Sequence, residues 1–289
     1  MRAFPSIPFF PIPWNKDIAL RPPVHARLLA GLVCLLASLS FFQPFVAAAQ
    51  AEREVVDNDH FWWSINSTVR LFRRWGAVAD VHIRRENFLQ DPNFYFARVG
   101  AVYWLDNEFS LTAGYAHLWR ANPTEAGLRY ADENRIYQQV LWRRRLGQRA
   151  TILGRIRMEQ RWQEVLDPGS GREDRIRFSN RLRFLVSFTL PFSENRYLPA
   201  LSLANEVLVH FGEEIVYNTF DQNRLFAGVR QRISPALSFD IGYMLVYQQK
   251  YAGYQYDRNH TFRLFFYYSP DFRRGAFPDL PHYPVTAEE

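Results

Sequence analysis

The sequence predicts an all-β fold: an antiparallel, up-and-down transmembrane β-barrel of about twelve strands, with ten as the alternative. Three observations predict it. Segment after segment alternates polar and apolar residues with a period of two, the signature of a strand with one greasy and one polar face. No helical segment stands between them to form the second layer that a soluble sheet needs over its apolar side. Finally, the 289 residues are 48% hydrophobic and 17% aromatic, yet their mean hydropathy is −0.28. That balance excludes a bundle of membrane helices but suits a barrel whose strands average apolar against polar.

The N-terminus carries an apolar run over 28–42, preceded by Arg27 and followed by the small residues Ala47, Ala48, Ala49 and Ala51. A basic flank, a short apolar stretch and an A-x-A pattern describe a cleaved secretory signal over residues 1–51, with a long Pro-rich leader. Its removal leaves 31 basic against 28 acidic residues, a net charge of +3. So weak an excess does not point to nucleic acid. Cys34, the single cysteine, lies inside the signal, so the exported chain has neither disulfides nor a thiolate metal site.

After a lead-in over 52–60, the alternating segments begin. The first, 61–72, sets Trp63, Ile65 and Val69 on one face and Ser64, Asn66, Thr68 and Arg70 on the other. The second, 75–86, opposes Ala77, Ala79, Val81 and Ile83 to Asp80, His82, Arg84 and Glu86. A loop over 87–93 leads to 94–105, which carries Arg98, and a tight turn at 106–107 leads to 109–120. Asn122-Pro123 and Gly127 mark 121–131 as a longer polar loop. Segments 134–146 and 150–165 follow, the latter with Arg155, Arg157 and Glu159, then the loop around Asp167-Pro168-Gly169. Segment 175–190 alternates most clearly, with Ile176, Phe178, Leu182 and Phe184 against Arg177, Arg181 and Arg183. Glu206 sits on 199–211, Arg224 and Arg230 on 221–233, Asp240 on 237–249 and Arg263 on 259–269. A Pro-rich tail occupies 270–289.

These segments number about eleven, whereas single-chain bacterial barrels are normally even. Either residues before 61 supply a twelfth strand or one segment belongs elsewhere. Short turns and longer loops tend to alternate, and strands of this length match a tilted membrane crossing. Trp62, Trp63, Trp75, Trp104, Trp119, Trp142 and Trp162 fall near strand ends, as interfacial girdles do.

The polar face, if it lines a lumen, is filled with arginine and fewer carboxylates. A ring of arginines selects anionic solutes, whereas arginine–carboxylate pairs would plug so narrow a barrel. The pairing reading is the weightier of the two. Catalytic signals are thin. Ser202, Glu206 and His210 share one face of one strand, but at ~3.4 Å per residue they stand too far apart to bond directly. No metal spacing or phosphate loop occurs, and no cofactor or enzymatic role is expected. Two other functions stay open: a soluble exported barrel holding an apolar ligand, its aromatic face inward, and a lipid-modifying barrel enzyme.

Trp62-Trp63-Ser64-Ile65-Asn66 running into Arg73-Arg74-Trp75, and Gln222-Asn223-Arg224-Leu225-Phe226-Ala227-Gly228 followed by Ser238-Phe239-Asp240-Ile241-Gly242-Tyr243-Met244, carry a family likeness. They resemble the bacterial proteins grouped as domain of unknown function 2490, over about 61–268. The resemblance implies a secreted outer-membrane barrel and supplies no catalytic residues. The expected partners are outer-membrane lipid and lipopolysaccharide, with barrel-assembly machinery during insertion, and the expected location is the bacterial outer membrane.

Overall fold

A computed structural model describes residues 53–273, apart from 148 and 196. The expected signal peptide and the tail beyond 273 lie outside the described residues. Eleven strands follow one another: β1 Glu54–Arg70, β2 Trp75–Glu86, β3 Asp91–Trp104, β4 Phe109–Thr124, β5 Gly127–Leu146, β6 Ala150–Leu166, β7 Glu173–Pro191, β8 Ala200–Phe211, β9 Phe220–Arg232, β10 Leu237–Gln249 and β11 Gln255–Tyr268. Each pairs antiparallel with the next, and β1 pairs with β11 to close the barrel. Eleven alternating strands leave the first and last running the same way, so the closing pair is parallel, from Glu54↔Gln255 to Ser67↔Tyr268.

The expectation of twelve strands, or ten, is therefore corrected. Residues before 61 do form strand, but as the outer turn-free extension of β1 rather than as a further strand or a lead-in. The predicted loop over 121–131 is also strand. β4 and β5 continue past their neighbours as a projecting hairpin, pairing down to Thr124↔Gly127. Gly127 adopts φ 101°, which a residue with a Cβ avoids, and Thr124 Oγ1 donates to the Gly127 carbonyl at 2.7 Å. Asn122 and Pro123 thus stand beside the turn, not inside a loop.

We call the end where β1 begins the upper end. Its connections are 87–90, 125–126, 167–172, 212–219 and 250–254; the lower end has 71–74, 105–108, 147–149, 192–199 and 233–236. The expected sorting of short and long connections fails at two places, the tight 125–126 above and the long 192–199 below. In the 167–172 loop, Asp167 accepts hydrogen bonds from the Ser170 backbone N–H and hydroxyl, both at 2.7 Å. These bonds hold its carboxyl below the usual range. After β11 the chain stays in register: Arg70 N–H bonds the Pro270 carbonyl and Phe272 N–H bonds Arg70, so the first residues of the predicted tail extend the seam.

Side-chain direction decides what the two faces are. Ile65, Val81, Val99, Ile136, Ile156 and Leu225 are exposed on the outer wall. Their strand neighbours point inward and are buried, in the alternation expected of these segments. Two tryptophans break the expected girdle: Trp62 is 3% exposed and Trp104 is 0%, because both have lumen parity. Inside the lower half lies an apolar layer that includes Val102, Trp104, Leu141, Leu185, Phe226 and Phe265. Glycines make room for it. Gly100 and Gly114 pair across β3 and β4, and a Cβ on Gly114 would meet Tyr137 Cε1 at 2.8 Å. The Tyr137 ring lies over them, as the Phe226 ring lies over the Gly228–Gly242 pair, where a Cβ on Gly228 would stand 2.6 Å from Phe226 Cζ.

Candidate functional site

The site is the lumen itself. Eleven strands at ~4.8 Å spacing and a tilt of ~40° give a backbone diameter of roughly 22 Å. Within it the inward arginines of β4 to β9 gather along one arc of the wall, and three carboxylates organise them. Glu133 on β5 accepts from Arg120 at 2.5 Å, Arg135 and Arg161 at 2.6 Å each, and Gln163 at 2.9 Å, tying β4, β5 and β6. Glu159 on β6 takes Arg181 at 2.6 Å and Arg183 at 2.9 Å. Glu206 on β8 takes Arg155 at 2.6 Å, Arg183 at 2.9 Å and Arg224 at 3.3 Å. Arg183 bridges Glu159 to Glu206, and Arg181 extends the lattice to Asp221 at 3.1 Å. All of these groups except Arg120 are buried. A charge taken out of water persists only when paired and hydrogen-bonded, and this lattice meets that condition for its carboxylates.

A second cluster lies lower. Asp240 accepts a two-pronged bond from Arg230, at 2.6 and 2.7 Å, and meets Arg263 at 3.5 Å and the Tyr267 hydroxyl at 3.4 Å. Asp80 on β2 pairs with Arg98 on β3. Arg70 closes the lower end, its guanidinium 4.0 Å from the Trp104 ring centre.

The sequence-derived lining residues therefore divide. Arg155, Arg157, Glu159, Arg181, Arg183, Glu206 and Arg224 come together in the central lattice, Arg157 through Gln139 at 2.5 Å and Glu159 at 3.9 Å. Arg230, Asp240 and Arg263 form the lower cluster, with Arg98 and Arg70 separate. Glu86 is half-buried at the upper rim, bonded by Asn93. Arg177 stands at the mouth, 3.4 Å from Glu214 and stacked 4.0 Å from the Tyr251 ring. Sequence reasoning missed Glu133, Arg135 and Asp221. Glu133 lay just outside a predicted segment, but odd-numbered parity with Tyr137, Gln139 and Leu141 places it inward once β5 is extended. Ser202, Glu206 and His210 all face the lumen on β8, yet Glu206 is engaged by arginines and no hydrogen bond joins the three among the described residues.

Above the lattice a cavity of about 380 Å³ lies at the upper end. Eight Lys or Arg side chains and three Asp or Glu side chains line it, and each of these cations except Arg84 has a carboxylate partner, counting Glu159, Glu206 and Asp257 just outside the lining.

A family described as "Protein of unknown function (DUF2490)" matches residues 59–268. The chain belongs to that family. The match runs to the last residue of β11, so the DUF2490 region takes in nearly the whole barrel and bears out the likeness read from its strand motifs. An uncharacterized protein of Methylorubrum extorquens is 26% identical to this DUF2490 chain over 225 residues, 76% of this chain and 88% of the relative. Among solved structures, the β domain of the Bordetella autotransporter BrkA aligns over 61% of this chain and 77% of its own, at 11% identity and a TM-score of 0.40.

Proposed function

We propose that this DUF2490 chain is an outer-membrane β-barrel whose lumen is closed by its own arginine–carboxylate lattice, with a structural or binding role in the bilayer rather than an open pore. The observation that carries the reading is the direction of the two faces: arginine and carboxylate inward, aliphatic and aromatic outward. A soluble carrier of apolar ligands needs the reverse. On β4 the outward residues run Phe109, Leu111, Ala113, Tyr115, His117 and Trp119, aromatic at both ends. Ten residues at ~3.4 Å and a tilt of ~40° span roughly 26 Å along the barrel axis, close to the ~25 Å apolar band of such barrels. Backbone satisfaction in lipid demands a closed sheet, which the β1–β11 pair supports. Partners in this reading are outer-membrane lipid, lipopolysaccharide and the assembly machinery that inserts the chain.

The test has two parts. Cell fractionation should recover the protein in the outer membrane, with faster migration of the unheated than the heated form on detergent gels; a soluble periplasmic protein refutes the membrane reading. In planar bilayers the folded barrel should give no steady conductance, and stable open-channel steps refute the closed lumen.

A further inference from the structure

Arg84 is the group the lattice leaves out. It is 7% exposed and lines the upper cavity, and among the described residues it has no carboxylate or hydrogen-bond partner. Its strongest electrostatic influences are four other guanidiniums, those of Arg224, Arg183, Arg135 and Arg181. Aromatic rings hold it instead: its Cζ lies 3.4 Å from the Trp62 ring centre and 4.4 Å from that of Phe94. Rings occupy the faces of a guanidinium and leave its edge, where the N–H donors are, for something else. Two more polar side chains line the same cavity without hydrogen-bond partners among the described residues. Asn218 is 1% exposed with neither amide atom bonded, and His60 is 6% exposed with Nδ1 unbonded. Arginine does not shed its proton in a protein, so a buried guanidinium with no carboxylate of its own calls for an anion from outside.

We propose that the upper cavity is a phosphate-binding site, in which the Arg84 edge takes the oxyanion and Asn218 and His60 complete its shell. The site rests on the closed-lumen reading, since the lattice forms its floor. The free edge of the Arg84 fork, with the other cations of the cavity already paired, suits a phosphate oxyanion, and about 380 Å³ admits a phosphate or a phosphorylated headgroup. The phosphate comes either free or on a lipid.

Equilibrium dialysis of labelled inorganic phosphate against the full chain folded in detergent tests it. Binding is expected for the wild type and for Arg258→Gln, an exposed arginine paired with Asp57 outside the cavity. Arg84→Gln should weaken it by about 10-fold or more, the scale of a charge-assisted hydrogen bond. Arg84→Lys, which keeps the charge and loses the fork, should fall between and guards against loss of folding in the glutamine variant. Short-chain phosphatidic acid displacing phosphate far below the concentration of phosphate itself assigns the site to headgroups; equal displacement assigns it to the free anion. No binding by the wild type, or binding that both Arg84 variants leave unchanged, overturns the site. Channel conductance is a separate readout: an open pore with Arg84-dependent binding removes the closed-lumen reading and keeps the site.

Discussion

At the residue scale, the lumen is governed by the difference between making and breaking a buried ion pair. Assembling one is close to neutral against a well-packed apolar core, but removing one partner strands the other, at about 3–5 kcal/mol. Glu206 is the sharpest case, because Arg155, Arg183 and Arg224 all bond it. Glu206→Gln keeps the shape and removes the charge. It should lower the unfolding free energy of the detergent-folded barrel by about 3–5 kcal/mol, read from urea midpoints at constant slope. Arg177→Gln, at the half-exposed mouth, should cost within about 1 kcal/mol on the scale of exposed pairs. Equal losses from the two would remove the distinction drawn between lattice and rim. The inward residues were legible in the sequence through parity alone, since Arg181, Arg183 and Arg224 are each followed by an aromatic or aliphatic residue of the outer face. Their partners were not, because pairing across a lumen depends on how many strands separate two residues around the wall. Arg84 was singled out only as one arginine among many; that it lacks a carboxylate emerges from the closed barrel.

At the scale of elements, the informative feature is the seam. Parallel pairing is slightly weaker per residue than antiparallel, and here the seam is reinforced on its outer side. Phe61 stacks on its register partner Phe262 at 5.8 Å, and Trp63 meets Phe266 at 6.4 Å. Strand existence and facing were legible because period-two alternation survives in every segment. The count was not. An exposed, mostly polar stretch such as 54–58 has no apolar alternation to announce it, and its pairing depends on β11, some 200 residues away. Nor was the direction of Trp62 and Trp104, since proximity to a strand end says nothing of parity. The single cysteine, Cys34, precedes the barrel strands, so in a Cys34→Ser background engineered thiols report the seam alone. Ile65→Cys combined with Phe266→Cys, directly opposite in the parallel register, should form an intramolecular disulfide on mild oxidation of the folded barrel. Ile65→Cys with Phe262→Cys, displaced by four residues or ~13 Å along the strand, should not. A twelfth strand between β1 and β11 would abolish the first link, and a slipped register would move it to the second pair.

At the scale of the whole molecule, the proposed closure is double. The upper half of the lumen is held by charge, the lower half largely by the apolar layer of Trp104, Leu141, Leu185, Phe226 and Phe265. The two layers exclude ions by different physics. Paired charges bonded to one another fill space, whereas buried rings leave no polar path at all. In the proposed closed lumen each layer is a seal, so emptying one should not open the barrel. Phe226→Ala with Phe265→Ala removes two rings, at a cost of about 3–5 kcal/mol each, and leaves the Glu159–Arg183–Glu206 bridge above intact. Conversely, Arg183→Ser with Glu206→Ser removes a bridging cation together with its carboxylate, limiting the charge left unpaired, while the rings below remain. Either pair alone should stay silent in planar bilayers, provided heat-modifiable migration shows the barrel folded. Only the four substitutions together should yield discrete conductance steps, favouring anions because the surplus arginines would then face water. If the upper pair alone conducts, the apolar layer is not a seal; if the fourfold variant folds and stays silent, the lumen is blocked by residues outside these two layers.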